Sequence, residues 1–374
     1  MRRFLPPLLA LLCTVQAASA TAGEPVIRVA ISRGASSLNL KTSARLYVLE
    51  VDGGQKFMLL ENSSYEVRPQ GSGIAIAGQH LSSPIRLLPG EGQEKVRLGK
   101  HLYQGDIYID LTEDRKLDIV EHLGLEEYLY GVLPAEMSPD WPMEALKAQA
   151  VASRTYALKH ISPNRDYDVS NGTEKQAYNG THNISPRVKE AVDSTKGLVL
   201  KYKGRLITAF FHACCGGHTA SAKAAWGEEV VKPLYGVTDP YCKPSSHYRW
   251  RLFVPAQDLL KAVQSLGSTA LKIKSVKVGS TDRSGRALTI RVRSDSGSGS
   301  VPASDLRNVL GTFEFRSTYI TSISAVKGGY EFAGRGWGHG VGMCQDGAKY
   351  MALKGRPFKR ILRQYYPGAA ITDI

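Results

Sequence analysis

Leu125–His160 reads LEEYLYGVLPAEMSPDWPMEALKAQAVASRTYALKH, and this stretch decides what kind of fold the chain can adopt. Leu125 to Val132 carries strong helix formers with Glu126 and Glu127 early. The spacing predicts a helix that breaks at Leu133-Pro134, because proline supplies no amide proton. Pro139 and Pro142 then flank Asp140, a good N-cap, and Met143 to His160 reads as an alanine-rich helix. Two helices in succession, with strand-like sequence on either side, point to an α+β architecture and away from a doubly wound parallel sheet.

Upstream, short β segments follow one another: Val26 to Ile31, Arg45 to Val51, Phe57 to Val67, Gly73 to Ala77 and Ile85 to Leu88. Turn residues such as Asp52-Gly53-Gly54 and Pro89-Gly90 separate them. Residues 21–100 read as a β-rich accessory domain without a catalytic cluster, and 101–374 as the main domain. Within the latter, strands are expected at Asp106 to Leu111, Lys116 to Glu121, Lys196 to Ala209, Leu271 to Val278 and Ala287 to Val292. Helices are expected at Pro255 to Ser265, Ala303 to Leu310 and Val341 to Leu353, with Ser294 to Ser300 as a hairpin loop or linker.

The chain has 374 residues, 48 Lys+Arg against 34 Asp+Glu, and a formal net charge of +14. A chain this long buries a core without disulfide staples, and its composition excludes a disordered or fibrous protein. The basic excess asks for an anionic partner. Arg2 and Arg3, the apolar run Phe4 to Val15 and Ala18-Ser19-Ala20 read as a cleavable signal peptide over residues 1–20. Taking Arg2 and Arg3 from +14 leaves +12. The expected location is therefore exported, either periplasmic or in the cell envelope or extracellular space, with no membrane span in the mature chain. Nucleic acid falls away as a partner, since no basic-aromatic motif of a known module is present.

Four groups of residues could carry chemistry. Glu136, in Leu133-Pro134-Ala135-Glu136-Met137, has apolar neighbours that would favour its protonated form and suit a general acid, or it caps the second helix. Lys147 and Arg154 lie seven residues apart on one helix face, as substrate-facing cations or a solvated stripe. In Phe210-Phe211-His212-Ala213-Cys214-Cys215-Gly216-Gly217-His218, the residues Cys215 and His218 with distant Cys242 match zinc spacing, and His212 or Cys214 could complete the set. A Cys215–Cys242 disulfide is the alternative. Finally, the five glycines from Gly334 to Gly342 imply a backbone that turns sharply or approaches something closely. They would present Trp337 for stacking on a sugar ring and His339 for hydrogen bonding or proton transfer.

Together these pieces resemble the stage II sporulation protein D / amidase-enhancer family (SpoIID/LytB domain) of bacterial cell-wall proteins. The resemblance is carried by the quoted stretch from Leu125, by FFHACCGGHTA from Phe210, YGVTDPYC from Tyr235, SGRALTIRV from Ser284, GRGWGHGVGMCQDGAKYMALKG from Gly334 and the closing YYPGAAI. It implies a SpoIID-like core and a lytic transglycosylase acting on glycan strands already stripped of stem peptides, with Glu136 at the catalytic position. Lys147 and Arg154 would then hold lactyl carboxylates, with Trp337 and His339 as further substrate contacts. It also implies a structural zinc on Cys215, His218, Cys242 and His212. The same family contains enhancers of a cell-wall amidase, so a non-catalytic peptidoglycan-binding module is the alternative. Cys344 stands where several relatives carry serine.

Overall fold

The structure, a computed structural model, describes residues 23–42, 45–89, 96–172, 176–180, 184–227 and 231–374. The expected signal peptide lies outside the described residues. Alternating apolar positions in the N-terminal third form strands, and these do not make a domain of their own. Val26–Ala35 pairs antiparallel with Leu117–Gly124, placing Val29 opposite Glu121, and Asp106–Leu111 bridges Leu117–Gly124 to Ile85–Pro89. One seven-stranded sheet thus runs, in spatial order, through 169–170, 26–35, 117–124, 106–111, 85–89, 46–50 and 56–59. The expected division near residue 100 is therefore corrected, because strands on both sides of it share backbone hydrogen bonds and a single hydrophobic core. The expected strand Phe57 to Val67 is also two strands, Lys56–Leu59 and Ser64–Gln70, parted by a turn with Asn62 at φ 54°.

Eight helices occur among the described residues: α1 (Leu125–Glu136), α2 (Met143–His160), α3 (Pro186–Asp193), α4 (Ala222–Trp226), α5 (Ala256–Ser265), α6 (Ala303–Leu310), α7 (Gln345–Leu353) and α8 (Phe358–Tyr365). Helix α2 is the hub and packs on α1, α3, α7 and α8. Its small residues Ala145, Ala148, Ala150, Ala152 and Ala157 are buried on more than one side, which lets neighbouring helices approach closely. The main core runs from Ile27 through Leu129 and Val151 to Tyr366.

A second, smaller core gathers Trp250, Leu259, Val263, Ile290, Leu306, Phe315 and Phe332. It is built from the antiparallel sheet in which Gly329–Arg335 lies between Arg249–Pro255 and Ile320–Val326, the three strands Ile273–Val278, Thr289–Ser294 and Ser298–Pro302, and helices α5 and α6. The chain is therefore mixed α+β, as its alternation of elements indicates. No helix among the described residues is long and apolar enough to cross a membrane.

Two helix boundaries differ from expectation for local reasons. Helix α1 continues through Pro134 to Glu136, since a proline in the last turn forfeits only one hydrogen bond and its fixed φ is already helical. Asp140 does not cap α2; Pro142 occupies that place, and its carbonyl receives Ala145 N–H at 2.9 Å.

Candidate active site and thiol centre

Glu136 is the last residue of α1, not part of a loop between helices. Its half-buried carboxylate has two neutral partners among the described residues. Oε1 accepts the Ala177 N–H at 2.7 Å, and Oε2 accepts the Gln345 side-chain amide at 3.3 Å. Burial pushes the carboxyl above the usual carboxylate range, and the two donors only partly offset this. The negative end of the α1 dipole acts in the same direction as burial.

Behind Glu136 runs a chain of neutral polar side chains. The Gln345 amide also reaches Gln149 Oε1 at 3.5 Å, Gln149 donates to Ser153 Oγ at 3.0 Å, Gln176 donates to the Ser153 carbonyl at 3.3 Å, and Tyr128 OH donates to Gln176 at 3.2 Å. Gln149, Ser153, Gln176 and Tyr128 are fully buried, so these bonds fix α1, α2 and α7 around the carboxyl. A carboxylic acid held this way can donate a proton to a bound ligand and take one back.

The two expected cations do not join it. Arg154 is fully buried and donates to Glu126 at 2.8 and 2.6 Å and to the carbonyls of Leu198 and Val192 at 3.2 and 3.3 Å. It ties α2 to α1, α3 and the strand Leu198–Tyr202, so its reading as a substrate contact is corrected. Lys147 is paired with Glu144 at 3.5 Å, and Glu144 also accepts the Phe358 N–H at the start of α8 at 2.7 Å. Lys147 precedes Gln149 by two residues, roughly 200° around the helix. It therefore faces away from the Glu136 network.

The glycine run does what its composition implies. A Cβ on Gly342 would stand 1.9 Å from the Phe210 carbonyl oxygen, and one on Gly336 would stand 2.5 Å from that of Cys214. The close approach lets Phe211–His212 pair in parallel with Met343–Cys344 and lets Cys214 bridge Trp337. That pairing is why α7 begins at Gln345 instead of Val341. Trp337 is half-buried, with the Arg316 guanidinium 4.8 Å from its ring centre and His247 edge-on at 5.1 Å. His247 in turn meets Asp346 at 3.0 Å. His339 instead packs against Phe210, His212 and Trp226, and its Nδ1 accepts the Val341 N–H at 3.0 Å. Burial pulls its pKa down to about 4, which makes it neutral at physiological pH and a packing residue more than a proton carrier.

The same pairing assembles a buried centre. Cys215, Asp239, Cys242 and Cys344 bring their ligand atoms within 4.8 Å of one another, with Cys215 Sγ 3.4 Å from Cys242 Sγ and 3.1 Å from Asp239 Oδ2. All four thiols, Cys214 included, are free. Backbone N–H groups of Cys215 and Gly347 donate to Cys344 Sγ at 3.2 and 3.3 Å, and Gly217 donates to Cys215 Sγ at 3.3 Å. Hydrogen bonds from its thiol neighbours pull the Cys242 pKa well below the usual thiol range, whereas burial pushes Cys215 and Cys344 up. Three thiols and a carboxylate at these separations can hold a tetrahedral metal, for which sulfurs stand roughly 3.8 Å apart.

The expected histidines are not in this centre. His218 bonds the Thr219 carbonyl through Nδ1 at 2.7 Å, and His212 bonds that of Val341 at 3.1 Å, its Nε2 having no hydrogen-bond partner among the described residues. Asp239 and Cys344 take their places. Asp239 was legible in principle as the acid three residues before Cys242, while Cys344 arrives only through the strand pairing.

Residues 113–202 match the family model described as stage II sporulation protein, and 222–342 match a domain of unknown function that contains the second core. An uncharacterized protein of Brachyspira hyodysenteriae is 38% identical over 286 residues, covering 76% of each chain. The amidase enhancer of Bacillus subtilis is 34% identical over 66% of this chain and 40% of its own length, and stage II sporulation protein D of the same organism is 29% identical over 68% and 76%. The chain belongs to the stage II sporulation protein D and amidase-enhancer family. In this SpoIID-family protein the matched segment 113–202 holds Glu136, Gln149 and Arg154, while Gln345 and the thiol centre are completed from the C-terminal part of the chain.

Proposed function

We propose that this SpoIID-family protein is an exported lytic transglycosylase that cuts peptide-free peptidoglycan strands, with Glu136 as the single acid and base. The observation that carries this reading is the setting of Glu136: a half-buried carboxyl whose partners are the Ala177 N–H and the Gln345 amide, with its pKa raised. A hydrolytic glycosidase ordinarily uses two carboxylates across the scissile bond. A lytic cut needs one. The Glu136 acid protonates the leaving glycosidic oxygen as the muramic C1–O bond breaks. The resulting carboxylate takes the proton of the muramic C6 hydroxyl, whose oxygen closes on C1 to give the anhydro ring, and Glu136 ends protonated as it began. No water is consumed.

The thiol centre is read as a structural zinc site on Cys215, Asp239, Cys242 and Cys344. Bound there, zinc would cross-link the 211–217 and 343–347 segments. The basic charge and the N-terminal signal sequence support export to the wall. A non-catalytic role beside a cell-wall amidase is the second reading, favoured by the 34% identity to a protein named amidase enhancer.

The test is digestion of amidase-treated strands with the purified chain, reading anhydro-muramic ends by mass spectrometry. Wild type should produce them and Glu136→Gln should not. Reducing ends in their place would make the protein a hydrolase, and no new ends from wild type would favour the amidase-enhancer reading.

A further inference from the structure

With Arg154 spent in the core and Lys147 paired, another cation must hold a polyanionic strand beside Glu136. Among the basic side chains that lie over aromatic rings, two stand out because a tryptophan holds them and no carboxylate does. Lys349 Nζ lies 4.7 Å from the centre of the Trp141 ring, and Arg316 Cζ lies 4.8 Å from that of Trp337. Neither has a carboxylate within ion-pair distance among the described residues. The difference matters physically. An ion pair cancels a cation's charge, whereas an indole face fixes its position and leaves the charge available to an incoming anion.

Their placement follows α7. Lys349 is four residues after Gln345, so the two side chains share one face about one turn apart. Gln345 holds Glu136, which puts the Lys349 ammonium next along that face. The Trp141 loop is itself fixed, since Arg187 donates to the Pro139 and Trp141 carbonyls at 3.0 and 2.8 Å. On the adjoining side of α7, Asp346 holds His247, and His247 meets Trp337. The Asp346 carboxylate is occupied there by Ser245 at 2.5 Å and His247 at 3.0 Å, so it is not a counterion for Lys349.

We propose that Lys349 on Trp141 and Arg316 on Trp337 are two carboxylate-reading positions of the glycan site, set on either side of the first turn of α7. Each takes the lactyl carboxylate of a muramic residue through charge-assisted hydrogen bonds. The assignment rests on the reading above that the ligand is a carboxylate-bearing strand. It replaces Lys147 and Arg154 in that role.

The test uses the full chain carrying Glu136→Gln, which keeps strands intact while affinity is measured. Two probes are compared: peptide-free glycan strands, and the same strands with their carboxyls converted to neutral amides. The parent should prefer the acid strands at least tenfold, with an affinity that falls with salt. Lys349→Gln and Arg316→Gln should each cut that preference about threefold or more while leaving affinity for amidated strands unchanged. Lys349→Arg should keep the preference, and Lys147→Gln should not alter it. An unchanged acid preference in Lys349→Gln and Arg316→Gln overturns the proposal, as does an equal loss on both probes. The two levels separate cleanly. If the Glu136-intact chain makes no anhydro ends yet the acid preference depends on Lys349, the cleavage reading fails and the site stands. If anhydro ends form and the preference ignores both cations, only the site assignment fails.

Discussion

Replacing Arg154 by methionine separates a structural cation from a substrate-binding one. In the fold its guanidinium is fully buried and donates twice to Glu126, whose carboxylate also accepts the Gly197 N–H at 3.3 Å. Arg154→Met leaves Glu126 buried with one weak donor and takes a donor from the Leu198 and Val192 carbonyls, although Val192 keeps the Thr195 N–H at 3.1 Å. Breaking one half of a buried pair costs about 3–5 kcal/mol. With an unfolding entropy of about 2.1 cal/mol/K per residue over the 374 residues of the chain, that cost lowers the melting temperature by about 4–6 °C. The loss is larger if the second core melts separately. Adding Glu126→Gln should recover much of it, because an amide can stay buried at lower cost than an unpaired carboxylate. Calorimetry on the single and double variants gives the numbers. An Arg154→Met chain that melts like wild type but no longer binds glycan would refute the structural assignment and restore Arg154 to the site.

Other outcomes follow from the same geometry. Because burial raises the Glu136 pKa, the acid form persists to higher pH than for a free carboxyl, and cleavage should fall as pH rises through that value. Gln345→Leu removes a donor that favours the carboxylate, so the alkaline limb of the pH–rate profile should move to still higher pH; a shift to lower pH would contradict the assigned hydrogen bond. Elemental analysis should find one thiophilic metal per chain, lost in Asp239→Ala and Cys344→Ser and retained in His218→Ala; the reverse pattern returns His218 to the ligand set. Gly342→Ala forces a Cβ to 1.9 Å from the Phe210 carbonyl oxygen at φ 73°, and should cost at least about 1–2 kcal/mol in denaturant titration. It should also disturb the thiol centre, because the same contact sets the pairing of 211–212 with 343–344.

Much of the local structure was readable from the chain. Met143–His160 and Ala303–Leu310 form as helices over the span their spacing predicts, since alanine-rich periodicity and flanking prolines act within a few residues. Helix α3 has local signals too: Ser185 caps it through the Val188 N–H, with Pro186 in its first turn. The sheet was not legible. Nothing local tells Val26–Ala35 to pair with Leu117–Gly124 ninety or so residues later, or says that Ile85–Pro89 joins Asp106–Leu111, so local pattern places a boundary where these strands share one sheet.

The functional residues divide in the same way. Sequence by itself singled out Glu136, the cysteines and the glycine run, because a carboxyl in apolar company, a thiol cluster and repeated glycines are unusual wherever they fold. Tertiary structure decided what each one meets. Arg154 and Lys349 are both cations in the chain, and only packing gives one to Glu126 and the other to the Trp141 ring. Asp239 and Cys344, far apart in sequence, become partners through a two-residue parallel pairing that glycines alone permit. Chemical type is written in the residue, whereas neutralisation, burial and partnership arise from long-range contacts that no local pattern encodes.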